Sequence, residues 1–158
     1  MSVMSGYLSD RKMVEEWGTP DSVFAPLHAE FGFTLDAAAL VTSAKVQRYF
    51  GPDRAVPATR DGLARDWEGE VVWLNPPYGY KNLALWMRKA YWQASEHRAT
   101  VVCLVPAHTG QPWWHDWVVG KASEIRWIRG KVCFLKPDGT KGSAAPFPSC
   151  IVIYRPTP

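Results

Sequence analysis

The sequence predicts an α/β protein with a mostly parallel sheet and an antiparallel C-terminal edge. Three observations point there. Apolar strand-like runs alternate with segments of helical periodicity up to about residue 120, the pattern of strand–helix–strand units. TVVCLVP (100–106) is apolar without interruption, as expected of a strand buried on both faces. After residue 122 the segments SEIRWIR, KVCFL and SCIVIYR follow one another without a helix, so neighbouring strands there can pair antiparallel.

The elements read in order as follows. Residues 1–18 form a short lead-in, helical or flexible. Thr19-Pro20-Asp21 marks a helix start, with Thr19 or Asp21 as the cap, and Val23, Phe24, Leu27 and Phe31 recur behind it at helical spacing. Pro26 falls inside that pattern and should kink or shorten the helix. FTLDAAA (33–39) reads as a strand running into a turn of small residues, and 51–66, mixing Gly, Pro and charge, as loop. EVVWLN (70–75) is an apolar strand that stops at Pro76-Pro77. From Asn82 to His97, Leu83, Trp86, Met87, Ala90 and Ala94 mark one face of a helix. Residues 112–120 form a short helix rich in tryptophan, and 138–143 a Gly-containing connection between the last strands. No repeat or linker divides the chain, so 1–158 is expected to form a single domain.

Composition narrows the function classes. With 47% hydrophobic and 21% charged residues in 158, the chain can build one core and is not globally disordered. No apolar run approaches the length of a membrane span, and the first twenty residues lack an apolar signal core. The expectation is a soluble, non-exported, cytoplasmic protein with no membrane partner. Cys103, Cys133 and Cys150 are too few and too separated for a disulfide framework, and His28, His97, His108 and His115 show no ligand spacing, so no metal is expected. P-loop, GxGxxG and GxSxG patterns are absent. A net charge of +3 is compatible with a polyanionic partner, and nine tryptophans suggest flat surfaces for planar ligands.

The motif that carries chemistry is Asn75-Pro76-Pro77-Tyr78, at the end of a buried strand and followed by Gly79. Ligands of open α/β sheets bind outside the carboxyl ends of such strands. Two prolines fix the backbone and leave a carbonyl with no adjacent amide to pair it. The Asn75 side-chain oxygen adds a second acceptor. Two acceptors converging on one amino group take both its hydrogens, which disfavours conjugation of its lone pair with a ring and makes the nitrogen more nucleophilic. Tyr78 offers a face on which a planar base can stack. The group suits an exocyclic amine attacking an electrophile held nearby.

On these residues the chain resembles the S-adenosylmethionine-dependent amino-methyltransferases, whose catalytic loop reads Asn/Asp-Pro-Pro-aromatic. It is most similar to the small phage-type N6-adenine DNA methyltransferases, through Trp17-x-Thr19-Pro20, FGFTLDAAA, DGL…DWEG, LNPPYG, LVPA and GKVCF in that order, over residues 17–154. The resemblance implies a compact Rossmann-like methyltransferase fold, methyl transfer from S-adenosylmethionine to the N6 amino group of adenine in DNA, and a bacterial host cytoplasm if the chain is phage- or prophage-encoded. It also implies roles. Asn75 and Pro76 would accept from the amino group, Pro77 would stiffen the loop, and Tyr78 would stack on a base that has left the duplex. Asp36 and Ala37, at the end of the first strand, would meet the cofactor, Asp36 accepting from its ammonium or a ribose hydroxyl. Thr19-Pro20 would contact its methionine end and Asp66-Trp67 would receive its adenine.

The small-residue AAAL stands where larger methyltransferases have a Gly-rich turn, and no separate recognition domain fits, so sequence preference should be short or loose. His108, Thr109 and Trp113, following strand 100–106 at the same edge, would border the base pocket, although the tryptophans read equally well as core. Residues 121–141 hold Lys121, Arg126, Arg129, Lys131, Lys136 and Lys141 against Glu124 and Asp138, a candidate phosphate-contacting rim with Arg129 and Lys131 at its centre. Two alternatives stay open on the sequence. The loop alone also suits an RNA or protein-glutamine N-methyltransferase, and the missing Gly-rich turn suits a non-catalytic nucleic-acid binder of methyltransferase-like fold.

Overall fold

A computed structural model describes residues 18–158. The reading of residues 1–18 as a lead-in lies, but for Gly18, outside the described residues. Strands β1 (Leu35–Asp36), β2 (Val71–Leu74), β3 (Thr100–Pro106), β4 (Glu124–Trp127), β5 (Cys133–Leu135), β6 (Lys141–Ala144) and β7 (Ser149–Tyr154) are joined by helices α1 (Asp21–Phe31), α2 (Tyr80–His97) and α3 (Pro112–Trp117). A five-stranded sheet has the order β1-β2-β3-β7-β4, and β5 and β6 form a separate hairpin.

Within the large sheet β1, β2 and β3 run parallel, while β7 pairs antiparallel with both β3 and β4. The sheet is therefore mixed, two parallel and two antiparallel pairings, and its C-terminal side is antiparallel as the succession of strands implied. β3 and β7, at the centre, are buried along almost their whole length, which is why both read as unbroken apolar runs. The register Asp36↔Trp73 and Leu74↔Cys103 brings the carboxyl ends of β1 and β2 to one edge. Ala37, Asn75 and Ala107 thus leave the sheet on the same side.

The helices follow from the side chains they bury. In α2, Leu83, Trp86, Met87, Ala90 and Ala94 are buried as the spacing requires, joined by Gln93. The helix begins at Tyr80, two residues before the expected start at Asn82, after a Gly79 N-cap with φ of 123°, backbone that favours glycine. In α1, Phe24 and Leu27 face the core, and the Phe24 ring meets Trp73 of β2 edge-on at 5.3 Å.

Four local expectations are corrected. The cap of α1 is Pro20, with no side-chain hydrogen bond, because Thr19 is turned into the core. Pro26 lies within a helix that continues to Phe31, so it does not shorten it. Within 33–39, read as a strand running into a turn, the strand is only Leu35–Asp36, and the backbone there also bonds the Arg48–Phe50 segment, Asp36 N–H donating to the Arg48 carbonyl, Phe50 N–H to that of Asp36 and Ala39 N–H to that of Phe50. Residues 141–143, expected as part of a 138–143 connection, belong to Lys141–Ala144, which pairs with β5, its backbone hydrogen bonds supplying what its polar sequence does not advertise.

Candidate active site

The sheet edge where β1 and β2 end opens on a cavity of about 350 Å³. Ala37, Ala38, Ala39 and Leu40 form one wall, Phe50, Gly51 and Pro52 another, Arg60, Asp61 and Gly62 a third, and Asn75, Pro77 and Trp86 close it. The size is that of a small-molecule site, and the lining is apolar with a few polar groups. Close approach of backbone creates it. A Cβ on Gly51 would stand 1.7 Å from the Ala39 carbonyl oxygen, and one on Gly62 would stand 2.1 Å from that of Ala37. The glycines missing from the first turn are therefore supplied by the two segments that clasp it.

Asn75 is 8% exposed, and its Oδ1 is buried with no hydrogen-bond partner among the described residues. Its Nδ2 donates to Thr19 Oγ1 at 3.3 Å. The next residue, Pro76, is buried, and among the described residues no hydrogen bond ends on its carbonyl. A buried acceptor without a partner costs free energy unless something else supplies a donor. The two adjacent acceptors are what an amino group would satisfy.

Tyr78 is placed differently from the expectation of an open stacking face. It is 2% exposed, its hydroxyl donates to the Leu104 carbonyl at 3.1 Å, and Phe147 lies edge-on to it at 5.5 Å. Burial pushes its phenol well above the usual range. Tyr78, Pro106, His108, Trp113 and Phe147 surround a second cavity of about 20 Å³, room for a water but not for a base. His108 meets Phe147 edge-on at 5.7 Å, and the Trp113 Nε1 is buried without a partner among the described residues. Thr109 is exposed, its carbonyl 2.8 Å from His115 Nε2.

The residues expected to meet the cofactor divide. Ala37 lines the large cavity; Thr19, Pro20, Asp36, Asp66 and Trp67 do not. Asp36, 2% exposed, accepts from the Lys45 amide at 3.0 Å and the Ala38 amide at 3.4 Å, so it fixes the turn behind the Ala37–Leu40 wall. Burial raises its carboxyl to about 7, against the opposing pull of those two amides. Trp67 is fully buried, stacks on Trp86 at 6.4 Å and donates its Nε1–H to the Gly62 carbonyl at 3.0 Å, bracing the cavity from outside. Asp66 sits on the surface, where it accepts from Gln93 Nε2 at 3.3 Å. The carboxylate on the cavity wall is instead Asp61, whose Oδ1 accepts from the Leu63 amide. Sequence reasoning missed it, although DGL carried the signal: an acid followed by a glycine.

The basic segment is sorted by its partners. Arg126 is bound to Glu30 at 2.6 and 2.7 Å and to Glu124 at 2.6 Å, which withdraws it from the candidate rim. Lys121 lies over the Trp117 and Tyr91 rings. Arg129, Lys131, Lys136 and Lys141 make no ion pair among the described residues. Three of them, Arg129, Lys131 and Lys141, line a groove of about 450 Å³ beside Pro20 and Ser22 at the start of α1.

Comparison with known proteins places this arrangement in context. The sequence pattern of the DNA N-6-adenine-methyltransferase family matches residues 9–158. The chain is also similar to a DNA N-6-adenine-methyltransferase of Haemophilus phage HP1, with 30% identity over 144 residues that span 89% of this chain and 78% of that protein.

Proposed function

The chain belongs to the DNA N-6-adenine-methyltransferase family, and from that premise we propose how its residues share the work. The activity of the family is methylation of the N6 amino group of adenine in DNA. The chain is an adenine-specific DNA methyltransferase, and family membership implies a methyl donor.

In our reading the donor is S-adenosylmethionine and its place is the 350 Å³ cavity. The fit rests on the lining: an apolar wall of alanines for the carbon chain and the ring on either side of the sulfonium, Asp61 and Arg60 for polar ends, and Asn75 among the residues that close it. Bound there, S-adenosylmethionine supplies an electrophilic methyl group. Asn75 Oδ1 and the Pro76 carbonyl accept both hydrogens of the adenine amino group, hold its lone pair out of conjugation and aim it at the cavity. Positioning and preorganised acceptors supply the acceleration. Pro77, on the cavity wall, keeps the loop stiff.

Asp36 and Ala37 shape the cofactor wall, Thr19-Pro20 supports it from behind through Asn75, and Asp66-Trp67 braces it, Trp67 through Gly62. Tyr78, His108, Thr109 and Trp113 border the base. A base entering between them has to widen the 20 Å³ space, and Tyr80 is more exposed than Tyr78 and Trp113. Arg129 and Lys131 contact phosphates. We read the whole of 1–158 as one compact Rossmann-like methyltransferase domain, at work in the cytoplasm of a bacterial host.

The observation that carries this reading is the buried, partnerless Oδ1 of Asn75, a residue of the cavity wall, with the Pro76 carbonyl, also without a partner among the described residues, next in sequence. Incubation with methyl-labelled S-adenosylmethionine and a panel of DNA, RNA and protein tests it. Label recovered as N6-methyladenine in DNA supports it; label confined to RNA or glutamine refutes it.

A further inference from the structure

We propose that Thr19 is a positioning residue for methyl transfer, holding the Asn75 side chain by accepting from its Nδ2 so that Oδ1 faces the acceptor amine. The proposal rests on the reading of Asn75 as the group that receives the adenine amino hydrogens.

Thr19 is 2% exposed, and its Oγ1 lies 3.3 Å from Asn75 Nδ2, across 56 residues of sequence. It does not line the cavity, so its hydroxyl meets the amide and not the cofactor space. Its own backbone is held on both sides. Gly18 exchanges two hydrogen bonds with Leu135 of β5, at 2.8 and 2.7 Å, and Pro20 caps α1 in extended backbone with φ fixed by its ring. Thr19 is thus a fixed point between the basic hairpin and the catalytic loop.

Asn75 needs such a point. Strand β2 ends immediately before it and two prolines follow, so its backbone is set and only its side-chain torsions remain free. The amide presents an acceptor at one end and two donors at the other. Turned over, it would offer donors to an amine that has only hydrogens to give. With one Nδ2 hydrogen bound to Thr19, Oδ1 is the end of the amide left without a partner. Without that oxygen the buried N–H loses its partner, and the amide gains rotamers that do not support transfer.

Purified Thr19→Val, Thr19→Ser and Asn75→Ala variants decide the matter, each measured for kcat with saturating DNA and S-adenosylmethionine, for S-adenosylmethionine affinity by calorimetry, and for melting temperature. Thr19→Val is expected to lower kcat about 10-fold while cofactor affinity stays within about 2-fold, and Thr19→Ser, which keeps the hydroxyl, to restore most of the rate. In the Asn75→Ala background Thr19→Val should cost nothing further, since the group it positions is gone. Thr19→Ala, which puts no methyl against the amide, reads the same way should Thr19→Val fail to fold. A wild-type kcat in both hydroxyl-less variants beside an inactive Asn75→Ala overturns this inference alone. So does a loss confined to cofactor affinity, or a Thr19→Ser no better than Thr19→Val. An Asn75→Ala enzyme at the wild-type rate overturns the reading of the catalytic loop and this inference with it.

Discussion

Asp36 shows how a single buried carboxyl can organise a site it does not line. Its two oxygens hold the Ala38 and Lys45 amides, and burial raises its carboxyl to about 7. The sign of the consequence follows from linkage. Between the ordinary carboxylate value of 3.8 and about 7 the folded chain keeps a proton that the unfolded chain has lost. Stability contributed by this group is therefore full below 3.8 and is lost as pH rises through about 7. Glu30, Glu124 and Asp138 are shifted the other way, down from the carboxylate range by their hydrogen bonds to Arg126, to Arg126 and Arg155, and to Thr140 respectively, so they act at lower pH. Chemical denaturation at pH 5 and pH 8 should show the wild type losing stability over that interval and Asp36→Asn losing much less of it. An equal loss in both would place the titrating group elsewhere. At this scale the sequence was legible where a residue's chemistry forces its place, as for Asn75 before two prolines. Aromatic side chains were not: Tyr78 reads as a stacking face and Trp67 as a partner of the cofactor's adenine, and only packing shows both to be buried. Nor could sequence pair Thr19 with Asn75, since nothing local links positions that far apart.

The strands and helices themselves were largely readable, because burial leaves a period. β3 and β7 are apolar throughout, α2 carries its stripe every three or four residues, and the parallel register then fixes which ends meet. The β5–β6 hairpin was read only by half, since KGSA has neither alternation nor apolar content and depends on backbone pairing. That hairpin and the segment leading to it carry Arg129, Lys131, Lys136 and Lys141, cations without ion pairs among the described residues. Their expected role is electrostatic. DNA affinity should fall steeply with salt, and replacing Arg129 and Lys131 by Ala should reduce the slope of log affinity against log salt by about one unit for each phosphate no longer neutralised. The reduction should be nearly the same on unrelated sequences, because phosphate contacts position without reading bases. Titrations of both proteins at three salt concentrations measure it, and an unchanged slope would remove this face from the DNA interface. Arg126, bound to Glu30 and Glu124, is the internal control: its charge is already engaged, so Arg126→Ala should disturb β4 and α1 more than it alters the slope.

Among the described residues the cavity, the Asn75 loop and, through Thr19 and Pro20, the basic groove adjoin one another at the carboxyl ends of β1 and β2. Apart from the β5–β6 hairpin the described chain offers no second sheet and no added helical layer to read base edges. Methylation should then be spread over short or relaxed sites, and mapping N6-methyladenine in a long DNA would show it; a strict motif of six or more base pairs would mean a recognition element elsewhere in the chain. The central claim, that Asn75 acts on the acceptor amine and not on the methyl donor, is tested most directly by comparing Asn75→Ala with wild type in transfer from labelled S-adenosylmethionine to DNA, with cofactor affinity measured on the same preparations. The account predicts a fall in transfer of at least ~100-fold, the scale of losing one preorganised electrostatic partner, with affinity within a few-fold of wild type. Undiminished transfer, or a loss explained wholly by weakened cofactor binding, would contradict it.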